Sequence, residues 1–159
     1  MEFSLFETSI LKNGVAETCA ELNIPIVAYS PLGKGLLTGN ILAAKDVPET
    51  SVLRRLDKLS DSHLETNLQL IRALQQFSED YGRATLPQLA ISWVRQMSVK
   101  DGLPVIIPIA GSSRACNVKA NASHVDLSER DLGKINRILE EYKVVGQRSY
   151  GDQVKYMEG

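Results

Sequence analysis

The stretch from Ile24 to Gly39 constrains the fold more than any other part of the sequence. Its first part, Ile24–Tyr29, is a nearly continuous apolar run of strand length, and a loop with Ser, Pro and three glycines follows directly. Such a run is typical of a strand buried on both faces, as in a parallel sheet. Ligands of parallel sheets bind beyond the carboxyl ends of the strands. The loop from Ser30 to Gly39 is therefore where the sequence first predicts a functional site.

This glycine-rich loop lacks the two most common phosphate-binding motifs. A Walker loop requires glycine where Ala28 stands and Ser or Thr where Gly35 stands. The dinucleotide fingerprint requires a third glycine where Thr38 stands. The pattern alone leaves two interpretations open, a ligand-binding loop or a tight connection that needs flexible backbone.

Composition excludes several classes of function. A chain of 159 residues with 43% hydrophobic and 23% charged residues has the size and composition of one soluble globular domain. A net charge of −1 gives no electrostatic reason to expect nucleic acid or a membrane surface as partner. No apolar run approaches the ~20 residues of a membrane span. Cys19 and Cys116 indicate neither a disulfide framework nor a zinc site, so we expect a cytoplasmic protein.

The order of apolar patterns predicts an α/β chain with parallel strands. Two capping boxes and the pair Ser128 and Asp131 mark helix starts, and each helix behind them carries apolar residues at spacings of three and four. A strand, a helix and a second strand in succession make a parallel unit with a right-handed crossover. The predicted strands are 2–6, 24–29 and 104–109, and residues 40–60 are predicted to form a long loop. Helices are predicted to begin after Asn13, at Ser62 with Glu65, at Thr85 with Gln88, after Arg114, and at Ser128 with Asp131.

A second candidate site follows the third predicted strand. Gly111, Ser112, Ser113 and Arg114 lie between that strand and a helix, and a helix N-terminus attracts anions through its N–H groups and its dipole. Arg114 adds donors suited to phosphate oxygens. The alternative is a plain N-cap serine beside a solvated arginine, and the pattern alone favours it.

No catalytic or metal-binding constellation can be argued from the residues themselves. His63 and His124 have no partner at the spacing of metal ligands, so we expect both at the surface and no metal site. Serine, histidine and aspartate do not combine into a recognisable catalytic set. The residues alone thus indicate an α/β chain with two loops suited to anions.

Three motifs in order resemble the C-terminal half of the aldo-keto reductases. They are E-F-S-L-F from Glu2, I-V-A-Y-S-P-L-G-K-G-L-L-T-G from Ile26, and I-P-I-A-G-S-S-R from Ile107 followed by N-V-K-A-N-A. The stretch from Glu2 to Leu22 is most similar to the fungal pyridoxal reductase branch. The resemblance runs from residue 2 to about residue 143. It implies strands six to eight, with their helices, of a (β/α)8 TIM barrel that uses NADPH to reduce carbonyls.

The resemblance also implies the roles of individual residues toward NADPH. Tyr29 matches the tyrosine that stacks on the nicotinamide, and Lys34 is the expected partner of a phosphate. Asn117 stands where many members have a longer Arg or Gln. Asn121 matches the asparagine that faces the adenine, although Ala120 replaces a usual glutamate beside it. The full set of implied cofactor residues is Tyr29, Ser30, Pro31, Leu32, Gly33, Lys34 and Gly35 at the nicotinamide and pyrophosphate, Ser112, Ser113 and Arg114 at the 2′-phosphate, and Asn117 with Asn121.

The family's catalytic Asp, Tyr, Lys and His precede anything that matches this chain, so the resemblance implies no catalytic residue here. A whole barrel needs about 250 residues, and we expect residues 1–159 to be one partial domain, truncated at its N-terminus. The implied substrate of the complete protein is a pyridoxal-like aldehyde or ketone. The alternative is a non-catalytic fragment that binds the cofactor or a partner. Expected partners are the missing N-terminal half or a second copy, through bare strand edges and the inward residues Ile26, Ala28, Val105 and Ile107.

Overall fold

A computed structural model describes residues 1–98, 100–123 and 125–147 of the chain. Five α-helices and two β-strands make up its regular structure, and several short 3-10 turns join them. The helices are α1 Val15–Glu21, α2 Leu64–Tyr81, α3 Leu86–Met97, α4 Ala115–Ala122 and α5 Glu129–Glu141, and the strands are β1 Ile26–Tyr29 and β2 Ile106–Ile109. His124 and residues 148–159 lie outside the described residues, so the prediction of a surface position for His124 stays a prediction.

The two strands form a small parallel sheet, as the sequence predicts. Ile26 pairs with Ile106 and Tyr29 with Ile109 in a continuous register. The connection between them passes through α2 and α3, and α3 packs against β2. The α/β class with a parallel sheet is thereby confirmed.

The prediction of a strand at residues 2–6 is correct only up to Phe3 and wrong from Ser4 onward. Met1 and Phe3 hydrogen-bond to the backbone of Tyr29 in parallel fashion, so this segment does lie beside β1. The chain then turns back on itself, because Ser4 and Glu7 exchange backbone hydrogen bonds and the Ser4 hydroxyl accepts one from the Phe6 N–H. Local side-chain bonding therefore replaces strand pairing from Ser4 onward.

Only one face of the sheet is buried among the described residues. Ile26, Ala28 and Ile106 lie in the core, whereas Val27, Ile107 and Ile109 remain 47–52% exposed. The expectation of a strand buried on both faces is therefore wrong for this chain. The grouping of Ile26 and Ala28 with Val105 and Ile107 on one inward face is also wrong, because the parallel register places the two pairs on opposite faces.

The core lies between the buried face of the sheet and the helices. Helical spacing correctly predicts its members on α2 and α3, since residues three and four apart share a face. The Phe3 ring lies on the ring of Trp93, with centroids 5.1 Å apart, and this contact joins the N-terminal segment to α3. Central core residues are Leu68, Ile71 and Leu74 of α2, Leu89, Trp93 and Val94 of α3, and Ile135 of α5.

One of the two predicted capping boxes forms, and the predicted start of the last helix is correct. Thr85 with Gln88 opens α3, and Ser128 with Asp131 opens α5. The other predicted capping box, Ser62 with Glu65, is wrong, because α2 begins at Leu64 behind His63, and Glu65 forms a 2.6 Å ion pair with Arg72 on the next turns instead.

The stretch 40–60 is more ordered than the predicted long loop. It contains three short 3-10 turns and buries Val47 and Leu59. Lys58 anchors it to the N-terminal segment through a 2.8 Å ion pair with Glu7. No helix among the described residues combines the length and apolar character that crossing a membrane requires.

Candidate functional site

The two loops that the sequence singles out leave the same edge of the sheet. Tyr29 ends β1, Ile109 ends β2, and the two residues are register partners. The strands are parallel, so both carboxyl ends lie together, at the position where ligands of such sheets bind. The loop that starts at Ser30 and the segment from Ala110 to Arg114 both begin at this edge.

The first loop is a tight turn whose backbone needs left-handed conformations. Ser30, Gly33, Lys34 and Gly35 have φ angles of 52°, 57°, 56° and 103°. The Gly33 N–H donates to the Ser30 carbonyl at 2.8 Å, and a Cβ on Gly33 would lie 3.3 Å from the Cβ of Phe6. Glycine fits such a position without strain. Pro31 and Gly33 are buried and Leu32 is half-buried, so the turn is packed onto the core.

A buried carboxylate, which sequence reasoning did not assign to the site, joins Tyr29 and Lys34. Glu2 is only 4% exposed, and its Oε2 accepts hydrogen bonds from the Tyr29 hydroxyl at 3.4 Å and from Lys34 Nζ at 3.2 Å. Its Oε1 lies 3.2 Å from the same Nζ. The available signal was an acidic residue at the start of an apolar strand, since buried carboxylates are rare unless paired.

The second loop is an exposed serine and arginine segment that leads into α4. Arg114 occupies the N-cap position in extended conformation, and the Ser112 hydroxyl bonds to its backbone N–H and carbonyl, each at 3.2 Å. The interpretation of a plain N-cap serine is therefore wrong, because arginine holds that position. Ser112, Ser113 and Arg114 are all exposed beside the first turn of α4, where the Asn117 N–H donates to the Arg114 carbonyl at 3.1 Å and the positive end of the helix dipole lies.

Asn117 and Asn121 lie on one face of α4. They are four residues apart, so their side chains are neighbours on the helix surface, and both are half-buried. Asn121 lines an open cavity of about 600 Å³ between α4 and the end of β2, together with Ile107, Pro108 and Arg95.

Away from this edge, Glu7 and Lys58 form a largely buried ion pair. Burial raises the pKa of the Glu7 carboxyl, but hydrogen bonds from Lys58 and Ser9 and the charge of Lys58 outweigh it, so the pKa lies below its usual value. Lys58 also lies over the Phe6 ring, 5.7 Å from its centroid. The pair joins two chain segments. In the described part of the chain no three His, Cys, Asp or Glu side chains are grouped as metal ligands.

Sequence comparison gives a family and named relatives. A profile described as aldo/keto reductase family matches residues 1–140. A protein of Saccharomyces cerevisiae named "Putative pyridoxal reductase" is 38% identical over 156 residues, which cover 93% of this chain and 45% of that protein. A Schizosaccharomyces pombe protein named "Aldo-keto reductase yakc [NADP(+)]" is 30% identical over 152 residues, covering 93% and 43%. The chain spans less than half the length of these relatives.

Structural comparison agrees on the fold. A glycerol dehydrogenase from Gluconobacter oxydans superposes with a TM-score of 0.71 at 22% identity, over 91% of this chain and 42% of that chain. At this identity the likeness concerns the fold alone, which is part of an aldo-keto reductase TIM barrel. The predicted resemblance to this family and to a fungal pyridoxal reductase is confirmed.

Proposed function

Because this chain belongs to the aldo/keto reductase family, we propose that it supplies the cofactor-binding part of an NADPH-dependent carbonyl reductase. On this proposal residues 1–159 are one partial domain, cytoplasmic, that corresponds to strands six to eight of the barrel. The substrate class is a pyridoxal-like aldehyde or ketone, which agrees with the name of the 38% identical yeast relative.

The observation that carries the proposal is the register of the sheet. Pairing of Tyr29 with Ile109 brings the glycine-rich loop and the Ser112–Arg114 segment to one edge. A dinucleotide needs such an arrangement, because its nicotinamide, pyrophosphate and adenosine parts extend over more than one loop.

The residues at this edge fit the chemical groups of NADPH. Tyr29 offers an aromatic ring for the nicotinamide, and the loop Ser30–Gly35 with Lys34 offers backbone N–H groups and a cation for the pyrophosphate. An added Cβ on Gly35 or Gly111 would meet open space, so both turns can be approached closely. Ser112, Ser113 and Arg114 are exposed beside a helix N-terminus, which suits a 2′-phosphate. Asn117 and Asn121 offer amides to the adenine.

The cofactor supplies a hydride when bound, and the residues of this chain hold it in place. Reduction of a carbonyl also needs a proton donor for the developing alkoxide. The Tyr29 hydroxyl donates its hydrogen bond to Glu2, and this favours the second candidate function, cofactor binding by this chain without chemistry.

The Arg114→Ala variant tests the proposal through the 2′-phosphate that distinguishes NADPH from NADH. A hydrogen bond to a charged group contributes about 1.5–3 kcal/mol, so we expect NADPH affinity to fall roughly tenfold to a hundredfold while NADH affinity is unchanged. Calorimetric titration measures both. Arg137→Ala, an exposed arginine on α5, is the matched control. Equal losses for the two cofactors would place Arg114 away from the 2′-phosphate.

Turnover separates the two candidate functions. We expect the purified chain with NADPH and pyridoxal to consume NADPH no faster than a protein-free control, since the Tyr29 hydroxyl at this edge already donates its hydrogen bond to Glu2. Consumption well above the control, and its loss in Tyr29→Phe, would make Tyr29 the acid and the chain alone an enzyme.

A further inference from the structure

We propose that Glu2 is a positioning residue for the nicotinamide and pyrophosphate part of the cofactor, an inference that rests on the proposed function. Glu2 holds the side chains of Tyr29 and Lys34 in one arrangement before the cofactor binds. Its own contacts to the cofactor are not required, because it acts through these two residues.

The geometry gives Glu2 this bridging position. Its two carboxylate oxygens each lie 3.2 Å from Lys34 Nζ, and one also accepts the hydrogen bond of the Tyr29 hydroxyl at 3.4 Å. Lys34 is 28% exposed and Glu2 only 6% at the side chain, so the pair is formed where water competes weakly. One carboxylate thus contacts both the ring proposed for the nicotinamide and the cation proposed for the pyrophosphate.

The backbone of Glu2 is fixed from both sides. The Tyr29 N–H donates to the Met1 carbonyl at 2.9 Å, and the Phe3 N–H donates to the Tyr29 carbonyl at 3.3 Å. Phe3 is fully buried against Trp93. A carboxylate on such a rigid support can define where its partners lie, which is what a positioning residue must do.

Lys34 is a residue of the loop that needs this support. Its φ of 56° is left-handed, a conformation that costs free energy for any residue other than glycine. The ion pair with Glu2 holds the side chain of this strained residue, and the hydrogen bond from the Tyr29 hydroxyl to Glu2 holds the ring that precedes the turn. Side chains ordered before binding lose less entropy when the ligand arrives, so the arrangement raises affinity.

The test compares three ligands on the full chain. NADPH and NADH both contain the nicotinamide and pyrophosphate, whereas 2′,5′-ADP contains the 2′-phosphate and adenine but no nicotinamide. For Glu2→Ala we expect NADPH and NADH to bind about tenfold more weakly and 2′,5′-ADP to bind as in the wild type. Glu2→Gln keeps an acceptor for Tyr29 and Lys34 and should recover part of the loss. Glu21→Ala, exposed at the end of α1, is the matched control.

The outcomes separate this inference from the proposed function. If the wild type binds NADPH and Glu2→Ala binds it equally or more tightly, only the positioning role is overturned. Tighter binding by Glu2→Ala would mean that Glu2 competes with the phosphate for Lys34. An equal loss for all three ligands also overturns it, because a general structural defect would act on 2′,5′-ADP too. A wild-type chain that binds none of the ligands overturns both the inference and the proposed function.

Discussion

Among single residues, Asn67 is a buried polar side chain that joins two separate segments of the chain. It is 1% exposed, its Nδ2 donates to the carbonyls of Lys58 and Val145, and its Oδ1 accepts from the Val145 N–H at 2.8 Å. Asn67→Ala removes the partner of these half-buried backbone groups, and leaving a buried polar group unpaired costs about 1–3 kcal/mol. We expect the free energy of unfolding to fall by about 2–4 kcal/mol, measured by urea denaturation.

The control for Asn67 is Asn13→Ala. The Asn13 side chain accepts a single exposed hydrogen bond from the Val15 N–H at 3.2 Å, so its removal should cost about 1 kcal/mol or less. Comparable losses for the two variants would mean that the Asn67 contacts do not hold residues 58 and 145 together.

The ionisation of the Glu7 carboxyl makes the stability of the folded chain depend on pH. Burial raises the pKa of its carboxyl, and the stronger opposing effect of Lys58 and Ser9 leaves it below the ordinary value of 4.5. A carboxyl with a lowered folded-state pKa stabilises the fold above its unfolded-state pKa, and this contribution is lost as the pH falls through the folded-state value. We expect Glu7→Gln to be less stable than the wild type at pH 7, with the gap narrowing below about pH 4.5.

Denaturation midpoints from pH 7 down to pH 3 measure this dependence. Glu49→Gln changes an exposed carboxyl in a turn, and its profile should run parallel to that of the wild type. A constant gap between Glu7→Gln and the wild type over the whole range would show that the Glu7 charge makes no contribution through Lys58.

At the scale of elements, helix capping gives a matched pair of variants. The Ser128 hydroxyl and the Asp131 carboxylate bond reciprocally at the start of α5, and the hydrogen bond from Ser128 lowers the pKa of Asp131. Ser128→Ala should cost about 1 kcal/mol, the usual value of a helix N-cap. Ser62→Ala should be nearly neutral, because α2 starts at Leu64 and the Ser62 hydroxyl shares its hydrogen bond at 2.9 Å with the Ser60 hydroxyl instead of a helix N–H.

Thermal denaturation of the two serine variants measures the difference. Equal destabilisation would mean that Ser62 does cap α2 in solution, as its sequence pattern with Glu65 indicates. This pair therefore also tests how far a capping motif predicts a helix start.

Elements that the local sequence pattern determines could be predicted from sequence, whereas elements that depend on contacts with other parts of the chain could not. The apolar spacing of Leu68, Ile71 and Leu74 correctly predicts the buried face of α2, since periodicity is a local property. The bend at Ser4 depends on a side-chain bond to the Phe6 N–H that β-propensity does not reveal. The alignment of both loops at one edge followed from parallel strand order, whereas the Glu2 contacts required the three-dimensional structure.

The fold as a whole leaves one sheet face of apolar side chains exposed. Val27, Val105, Ile107 and Ile109 share this face by register and are 47–58% exposed. In a closed barrel, opposite strands would cover such residues and no strand edge would remain. The net charge of −1 provides little repulsion between copies of the chain. Contiguous exposed apolar surface of this kind promotes association.

We therefore expect the isolated chain to associate with itself through this face. Sedimentation velocity should show larger species as protein concentration rises, and Ile107→Glu should shift the population toward monomer by placing a charge at the centre of the face. Leu22→Glu is the matched control, since Leu22 is exposed and apolar but follows α1 rather than lying on the sheet, and it should associate like the wild type. A wild-type chain that remains monomeric at all concentrations and unfolds in one cooperative transition would contradict this prediction, because it would show that the exposed face needs no cover.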